Sequence, residues 1–151
     1  MISAPFRPTW CEIDLGAVSH NLRQLRELLG DGVAVYVCQK GDASGCGAVE
    51  IARRAEREGV AGFAFGNIDR ALACREAGIE SPILLYPNCL PEAAPVLQRA
   101  RLMPTLSTTE DVARWDAAAT AAMPVFLKID AGGGVAPERC RMRQRPSPAL
   151  S

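Results

Sequence analysis

The sequence predicts an α/β fold of β–α–β units arranged around a parallel sheet. Short uncharged segments rich in β-branched and aromatic residues alternate with amphipathic segments that repeat at helical spacing. The connections between them are short, which favours right-handed crossovers with helices covering the strands. About six strands and five helices are expected, and this pattern alone fits a (β/α) barrel and an open doubly wound sheet equally well.

The composition is that of one ordinary globular domain. The 151 residues include 17 basic and 17 acidic side chains, 48% are hydrophobic, and the mean hydropathy is +0.03. Balanced charge provides no bulk attraction to nucleic acid or to an anionic membrane, so neither is an expected partner. The longest apolar stretch, residues 117–127, is shorter than the ~20 residues of a membrane span. The N-terminus lacks the apolar core of a secretory signal, and the cytoplasm is the expected location.

The first β–α–β unit is predicted at the N-terminal end of the chain. A strand is expected over residues 9–15, and Asp14 stands where a helix N-cap belongs. Apolar residues at three- and four-residue steps then predict a helix that Gly30 ends. Residues 33–39 (VAVYVCQ) carry no charge, so we expect a strand that is buried on both faces and ends at Lys40.

The following elements repeat the same order. A glycine-containing loop, Gly41–Gly47, leads into a helix that runs to Glu58. After it we expect strands over 62–66, 82–86, 103–106 and 125–129, and helices over 68–77, 91–101 and from Thr108 or Thr109 to about 122. Beyond Gly134 arginine and proline accumulate without any period. The predicted domain therefore comprises residues 1–134, and residues 135–151 form an irregular tail that is not native to the fold.

Few residues in the chain suggest a metal site or a catalytic nucleophile. The six cysteines are scattered without a CxxC pair, so we expect them to be reduced. His20 is the only histidine of the sequence. It has neither the further ligands that a zinc site needs nor a nucleophile in a recognisable hydrolase motif. His20 is accordingly predicted to be a surface or structural residue, and no metal is expected.

The two lysines that adjoin predicted strands are the candidates for chemistry. Lys40 directly follows an uncharged strand, so its amine would lie at the carboxyl ends of parallel strands, where α/β folds place their sites. A partly desolvated lysine there can form a Schiff base with a carbonyl cofactor, whereas a solvated one is only a surface charge. Lys128 lies within VFLKID, where a cation needs a partner or a modification. Asp130 is the nearest candidate partner on the same face.

The loop GDASGCG that follows Lys40 matches no nucleotide-binding motif. Neither GxxxxGK[ST] nor GxGxxG occurs there. A weaker interpretation is that its backbone N–H groups, placed between a strand end and a helix N-terminus, donate to an anion such as phosphate.

Several separated segments together resemble the N-terminal domain of alanine racemase. They follow one another in collinear order over residues 8–134 and comprise EIDLGAVSHNLRQLRELLG (12–30), KGDASGCGAVE (40–50), ALACREAGIESPILLY (71–86), LMPTLST (102–108) and FLKIDAGGG (126–134). The resemblance implies a TIM-type barrel of fold type III that binds pyridoxal phosphate, with Lys40 as the Schiff-base lysine. It also implies a homodimer with a second, β-rich domain that interconverts L-alanine and D-alanine.

The mechanism implied by the resemblance needs two acid/base groups. Lys40 holds the cofactor and then acts on one face of the substrate Cα–H, while the cofactor takes up the electron pair. The second base is a tyrosine from the partner's C-terminal domain, which this sequence does not include. The alternatives are a catalytically inactive fragment that binds cofactor weakly or not at all, and another barrel-type pyridoxal phosphate protein, such as a cofactor-homeostasis protein or a D-amino-acid dehydratase or aldolase.

Three departures from the family pattern bear on the site. Ser44 and Cys46 stand where the family usually has tyrosine and histidine, so Ser44 is the residue expected to donate a hydrogen bond to the cofactor phosphate. Lys128 matches a family lysine that can be carbamylated, but no arginine stands near Val135 to pair with it. About six strands are also fewer than the eight of a complete barrel. We therefore expect a truncated barrel, in which a reading-frame change near Gly133 produces the tail.

Overall fold

The computed structural model describes residues 10–129, and the chain divides into two compact units, the first ending at Ile83 and the second beginning at Leu84. Five α-helices and five strands alternate in that range: α1 (Leu15–Leu29), β1 (Tyr36–Gln39), α2 (Ala48–Arg57), β2 (Gly62–Phe65), α3 (Ile68–Glu76), β3 (Ile83–Leu85), α4 (Ala94–Arg99), β4 (Leu102–Leu106), α5 (Thr109–Ala118) and β5 (Phe126–Leu127). A 3-10 helix, Pro91–Ala93, precedes α4, and a left-handed turn, Gly41–Ser44, lies between β1 and α2.

The strand predicted over residues 9–15 is wrong. Residues 10–14 have no regular secondary structure, and α1 already begins at Leu15. Trp10 is 77% exposed, and an isolated extended segment without a paired neighbour is not stable as a strand. Asp14 is nevertheless the N-cap of α1, as predicted, because its carboxylate accepts a hydrogen bond from the Gly16 N–H at 2.7 Å.

The first unit is built on the parallel pair of β1 and β2. Tyr36 pairs with Gly62, and Gln39 pairs with Phe65. Helix α2 contacts β1, α1 and α3. The residues that α2 buries are Ala48, Ala52 and Ala55. These small side chains allow close packing of α2 against its neighbours.

Strand β1 is buried on one face only, which contradicts the expectation of burial on both. Tyr36 and Cys38 are exposed, whereas Gln39 is only 3% exposed. Successive side chains of a strand point to opposite faces, so Tyr36, Cys38 and Lys40 share one face, which we call the open face. Strand β2, by contrast, is buried throughout. An uncharged run fits both kinds of strand, and composition alone did not separate them.

The second unit contains the parallel pair of β4 and β5. Thr105 pairs with Phe126, and Leu106 pairs with Leu127. The fully or nearly fully buried apolar side chains of this unit are Leu85, Ala94, Leu97, Leu102, Leu106 and Trp115. Parallel pairing in both units confirms the predicted α/β arrangement, and every other predicted helix and strand is present, several with shorter bounds. None of the described helices is long and apolar enough to cross a membrane.

The predicted domain boundary at residue 134 cannot be compared with this fold. Residues 130–151 lie outside the described residues. The boundary, the tail over residues 135–151 and the reading-frame change therefore stay predictions.

Candidate functional site

Lys40 lies at the carboxyl end of β1, as predicted. Its backbone is extended, with φ −90° and ψ 146°, and the residue is exposed rather than partly desolvated. Its carbonyl oxygen accepts a hydrogen bond from the Ser44 N–H at 2.7 Å, which ties Lys40 to the turn that follows. An exposed amine on the open face of β1 is accessible to a carbonyl compound.

Lys128, the other lysine of the chain, also follows a strand. It lies directly after β5 and is half-buried, and its backbone N–H donates to the Leu106 carbonyl oxygen at 2.8 Å. Continuing the register of β4 and β5 places Lys128 beside Ser107. Asp130, the partner expected for Lys128, lies outside the described residues.

The turn after β1 is left-handed, which the sequence analysis did not predict. Asp42, Ala43 and Ser44 have φ values of 60°, 54° and 57°. This conformation costs roughly 1–2 kcal/mol for each non-glycine L-residue, so surrounding contacts must maintain it. Gly45 and Gly47 also have positive φ, and the glycines of GDASGCG were the available signal of an unusual backbone here.

The backbone N–H groups of this loop are used within the loop itself. Those of residues 44–47 donate to carbonyl oxygens of residues 40–43 at 2.7–3.1 Å. The N–H of Ala48, which begins α2, donates to the Asp42 carboxylate at 3.0 Å. These N–H groups are therefore not available to a phosphate group, and the hydroxyl of exposed Ser44 is a donor that the loop still presents.

A salt bridge joins the left-handed turn to α3. Arg70 Nε lies 3.6 Å from Asp42 Oδ1, the oxygen that also accepts from Ala48, and the two side chains are 53% and 35% exposed. Sequence reasoning missed both Asp42 and Arg70. A carboxylate placed among glycines directly after Lys40 was the signal that could have identified Asp42.

Strand β4 and the residue after it present two hydroxyl groups that sequence reasoning also missed. The Oγ atoms of Thr105 and Ser107 are buried and have no hydrogen-bond partner among the described residues. They alternate with buried Pro104 and Leu106, so they lie on the opposite face of the strand. The alternation of apolar and hydroxyl residues in LMPTLS was the signal for this polar face.

His20 and the cysteines form no site in residues 10–129. His20 is exposed on α1, in agreement with the predicted surface role. None of the five cysteines in that range is in a disulfide, as expected, and Cys140 lies outside it. In the same range no group of three or more histidine, cysteine or acidic side chains is placed to hold a metal ion.

Comparison with known protein families gives a match over most of the chain. Residues 13–145 match the family model "Alanine racemase, N-terminal domain". Curated relatives include the alanine racemases of Geobacillus stearothermophilus, 35% identical over 130 residues, and Desulfovibrio desulfuricans, 36% identical over 138 residues. The alignments cover 85% and 87% of this chain but 34% and 37% of the relatives. The chain thus spans about a third of the length of these relatives.

Solved structures are similar over the same extent. The crystal structure of alanine racemase from E. faecalis matches with a TM-score of 0.81 and 31% identity, covering 89% of this chain and 38% of that one. The alanine racemase of Clostridium difficile 630 matches with a TM-score of 0.80 and 30% identity, covering 85% and 35%. These similarities confirm the predicted fold class, an α/β fold of the incomplete TIM-type barrel kind.

Proposed function

Because this chain belongs to the alanine racemase N-terminal domain family, we propose that it is part of a pyridoxal-phosphate-dependent racemase that interconverts L-alanine and D-alanine, with Lys40 as the Schiff-base lysine. The observation that carries the proposal is the place of Lys40 at the carboxyl end of a parallel strand, directly before a constrained turn, in a chain that matches the family over residues 13–145. A second copy of the chain is the proposed partner, alanine the proposed substrate, and the cytoplasm the proposed location.

The residues of the first unit fit an aldehyde cofactor. Lys40 lies on the open face of β1, where its Nζ would hold the cofactor through the aldehyde group, with loss of one water molecule. Ser44 is exposed in the same turn and supplies a hydroxyl donor for the phosphate group. When bound, pyridoxal phosphate supplies the electron sink for the bond that breaks at the substrate Cα.

Lys40 is also the proposed acid/base group on one face of the substrate. As a neutral amine, Nζ accepts the proton from Cα, and as an ammonium ion it returns the proton. Inversion at Cα needs a second group on the opposite face, and we assign none among residues 10–129. The resemblance to alanine racemase implies that a tyrosine from the C-terminal domain of a partner subunit, a region outside these 151 residues, fills this role.

Lys128 is proposed as a site of carbamylation in the second unit. After the Lys128 ammonium group loses one proton, the neutral amine adds CO2 and releases a second proton, which replaces a cation with an anion at the end of β5. The hydroxyl of Ser107, which lacks a partner among the described residues, is a candidate donor to the carbamate. Incubation with 13C-bicarbonate should give a carbamate NMR signal in the wild type that is lost in Lys128→Arg. A signal that persists in this variant would exclude Lys128 as its source.

The central test is covalent trapping of the cofactor. The purified 151-residue chain is titrated with pyridoxal phosphate, the absorbance spectrum is followed, and borohydride reduction is combined with peptide mapping. Because the chain contains only Lys40 and Lys128 as lysines, a reduced adduct can be assigned to one of them or to the N-terminus. Lys40→Ala is the test variant, and Lys128→Ala is the matched control.

We expect the absorbance band and the reduced adduct on Lys40, lost in Lys40→Ala and retained in Lys128→Ala. Equal adducts on both lysines and the N-terminus, or none in a folded sample, would contradict the proposal. A racemisation assay on the same sample then distinguishes an active enzyme from a fragment that binds cofactor without turnover.

A further inference from the structure

Asp42 connects the turn after Lys40 with two helices. Its Oδ1 atom accepts a hydrogen bond from the Ala48 N–H at 3.0 Å, at the start of α2. The same oxygen lies 3.6 Å from Arg70 Nε on α3. One carboxylate oxygen thus contacts both α2, which follows the turn, and α3, which lies further along the chain.

The backbone of Asp42 is bonded as well. Its carbonyl oxygen accepts from the N–H groups of Gly45 and Gly47, each at 3.1 Å. Residues 42–44 are held at φ values of 54–60°, where L-residues other than glycine are strained. Contacts on both sides of Asp42 therefore oppose relaxation of the turn to ordinary backbone conformations.

This left-handed turn also restrains the backbone of Lys40. The Ser44 N–H donates to the Lys40 carbonyl oxygen at 2.7 Å, so the last residue of the turn is bonded to the residue just before the turn. A change in the turn would rotate the backbone at Lys40 and with it the direction in which the amine leaves the end of β1.

We propose that Asp42 is a positioning residue for Lys40. Its carboxylate anchors the left-handed turn to α2, and the turn sets the direction of the Lys40 amine; Arg70 orients the carboxylate from the side of α3. The proposal rests on the proposed function, because it concerns the lysine assigned to the cofactor. An exposed ion pair contributes little, so the hydrogen bond to Ala48 is the main anchor.

Substitutions at residue 42 separate the anchor from the charge. Asp42→Asn keeps an oxygen that can accept from Ala48, tolerates the left-handed backbone and removes the charge. Asp42→Gly removes the carboxylate that accepts from Ala48, and glycine adopts the same left-handed backbone without strain. Asp42→Glu keeps the charge but displaces the oxygens by one methylene group. Arg70→Met removes only the partner on α3.

The first measurement is the rate at which borohydride traps pyridoxal phosphate on Lys40 in the full chain. We expect Asp42→Gly and Asp42→Glu to slow it about tenfold, and Asp42→Asn and Arg70→Met to stay within about threefold of the wild type. Equal rates in all four variants would overturn the proposal. So would an Asp42→Asn rate as low as that of Asp42→Gly, because the rescue by an acceptor oxygen would have failed. Should Asp42→Gly not fold, Asp42→Glu provides the same comparison.

The second measurement needs no cofactor. Limiting acetic anhydride acetylates Lys40 and Lys128 in the same molecule, and peptide mapping gives the ratio of the two products as a function of pH. We expect this ratio to change at least twofold in Asp42→Gly and to return to the wild-type value in Asp42→Asn. An unchanged ratio in a folded Asp42→Gly sample would overturn the proposal. If wild-type Lys40 traps no cofactor, the proposed function fails, but the acetylation ratio still decides the role of Asp42.

Discussion

Glu56 and Ser81 are joined by two hydrogen bonds of 2.7 Å each, donated by the backbone N–H and the hydroxyl of Ser81 to the same carboxylate oxygen. The Glu80 N–H donates to that oxygen at 2.9 Å. A side chain of α2 therefore fixes the segment that leads into β3.

Replacement of Glu56 by glutamine is expected to lower the free energy of unfolding by about 1–2 kcal/mol, because hydrogen bonds to an ionised group are stronger than those to a neutral one. Urea denaturation at neutral pH measures the change. Glu50→Gln is the matched control on the same helix, since Glu50 pairs only with exposed Arg53 in an i, i+3 salt bridge. The control should change stability by less than about 0.5 kcal/mol. Equal effects of the two substitutions would show that the Ser81 contact contributes nothing.

The Glu56 carboxylate also predicts a pH dependence. Burial would raise its pKa, but hydrogen bonds from Ser81 and Glu80 and the charge of Arg75 outweigh burial and leave the pKa below its ordinary value of 4.5. A lowered folded pKa means that the stabilisation is complete above the unfolded pKa and is lost as the pH falls through the folded pKa. The difference in unfolding free energy between the wild type and Glu56→Gln should thus be constant above about pH 6. The same difference should become smaller as the pH falls below 4.5, the ordinary pKa of the carboxyl group. A difference that grows on acidification would contradict this.

Gly62 is expected to tolerate no side chain. A Cβ atom there would lie 2.5 Å from Tyr36 Cε1 and 2.6 Å from the Pro82 carbonyl oxygen. The Pro82 carbonyl belongs to the backbone and cannot move aside as a flexible side chain can. Gly62→Ala should therefore lower the free energy of unfolding by about 2 kcal/mol or more. Thermal unfolding followed by circular dichroism provides the measurement. The double variant Tyr36→Ala/Gly62→Ala should recover only part of the loss, because the Pro82 clash remains; full recovery would mean that Pro82 moves freely.

Cys74 should resist alkylation in the folded chain. The residue is 0% exposed on α3, and burial raises the pKa of its thiol to about 11. Only about one thousandth of such a thiol is ionised at pH 8, and the thiolate is the reactive form. Iodoacetamide followed by peptide mapping should modify exposed Cys11 and Cys38 first and reach Cys74 only after urea is added. Alkylation of Cys74 at the rate of Cys11 under native conditions would show that α3 opens readily.

The sequence predicted the helices and buried strands well because their signals are local. Asp14 is the N-cap of α1, as its residue type predicted, and Thr108 is the N-cap of α5, for which the sequence had left Thr108 and Thr109 as alternatives. Burial of β1 was predicted wrongly because it depends on what covers the strand, and the composition of residues 33–39 contains no such information. The strand over 9–15 failed for a related reason, since a strand exists only with a neighbour.

The site could be predicted in part. Lys40 was named as the candidate Schiff-base lysine from its position after an apolar strand and from a family resemblance, and that role stays a proposal. Asp42 was not, because its importance depends on a left-handed backbone and on Arg70, which is distant in sequence. Hydrophobic period and motif spacing predict neither a left-handed backbone nor a contact between residues distant in sequence. The residues that hold the turn were therefore identified only from the structure.

Gln39, which directly precedes Lys40, is expected to destabilise the fold. It is 3% exposed, and both polar atoms of its side-chain amide are buried without a partner among the described residues. A buried, unsatisfied polar group costs about 1–3 kcal/mol, so Gln39→Met, which keeps the length of the side chain, should raise the free energy of unfolding by about 1 kcal/mol. Urea denaturation tests this, with Gln24→Met as the control, because Gln24 is exposed and bonds only to Glu27 on the same helix. A decrease in stability would mean that the amide finds partners in solution, such as a bound water molecule.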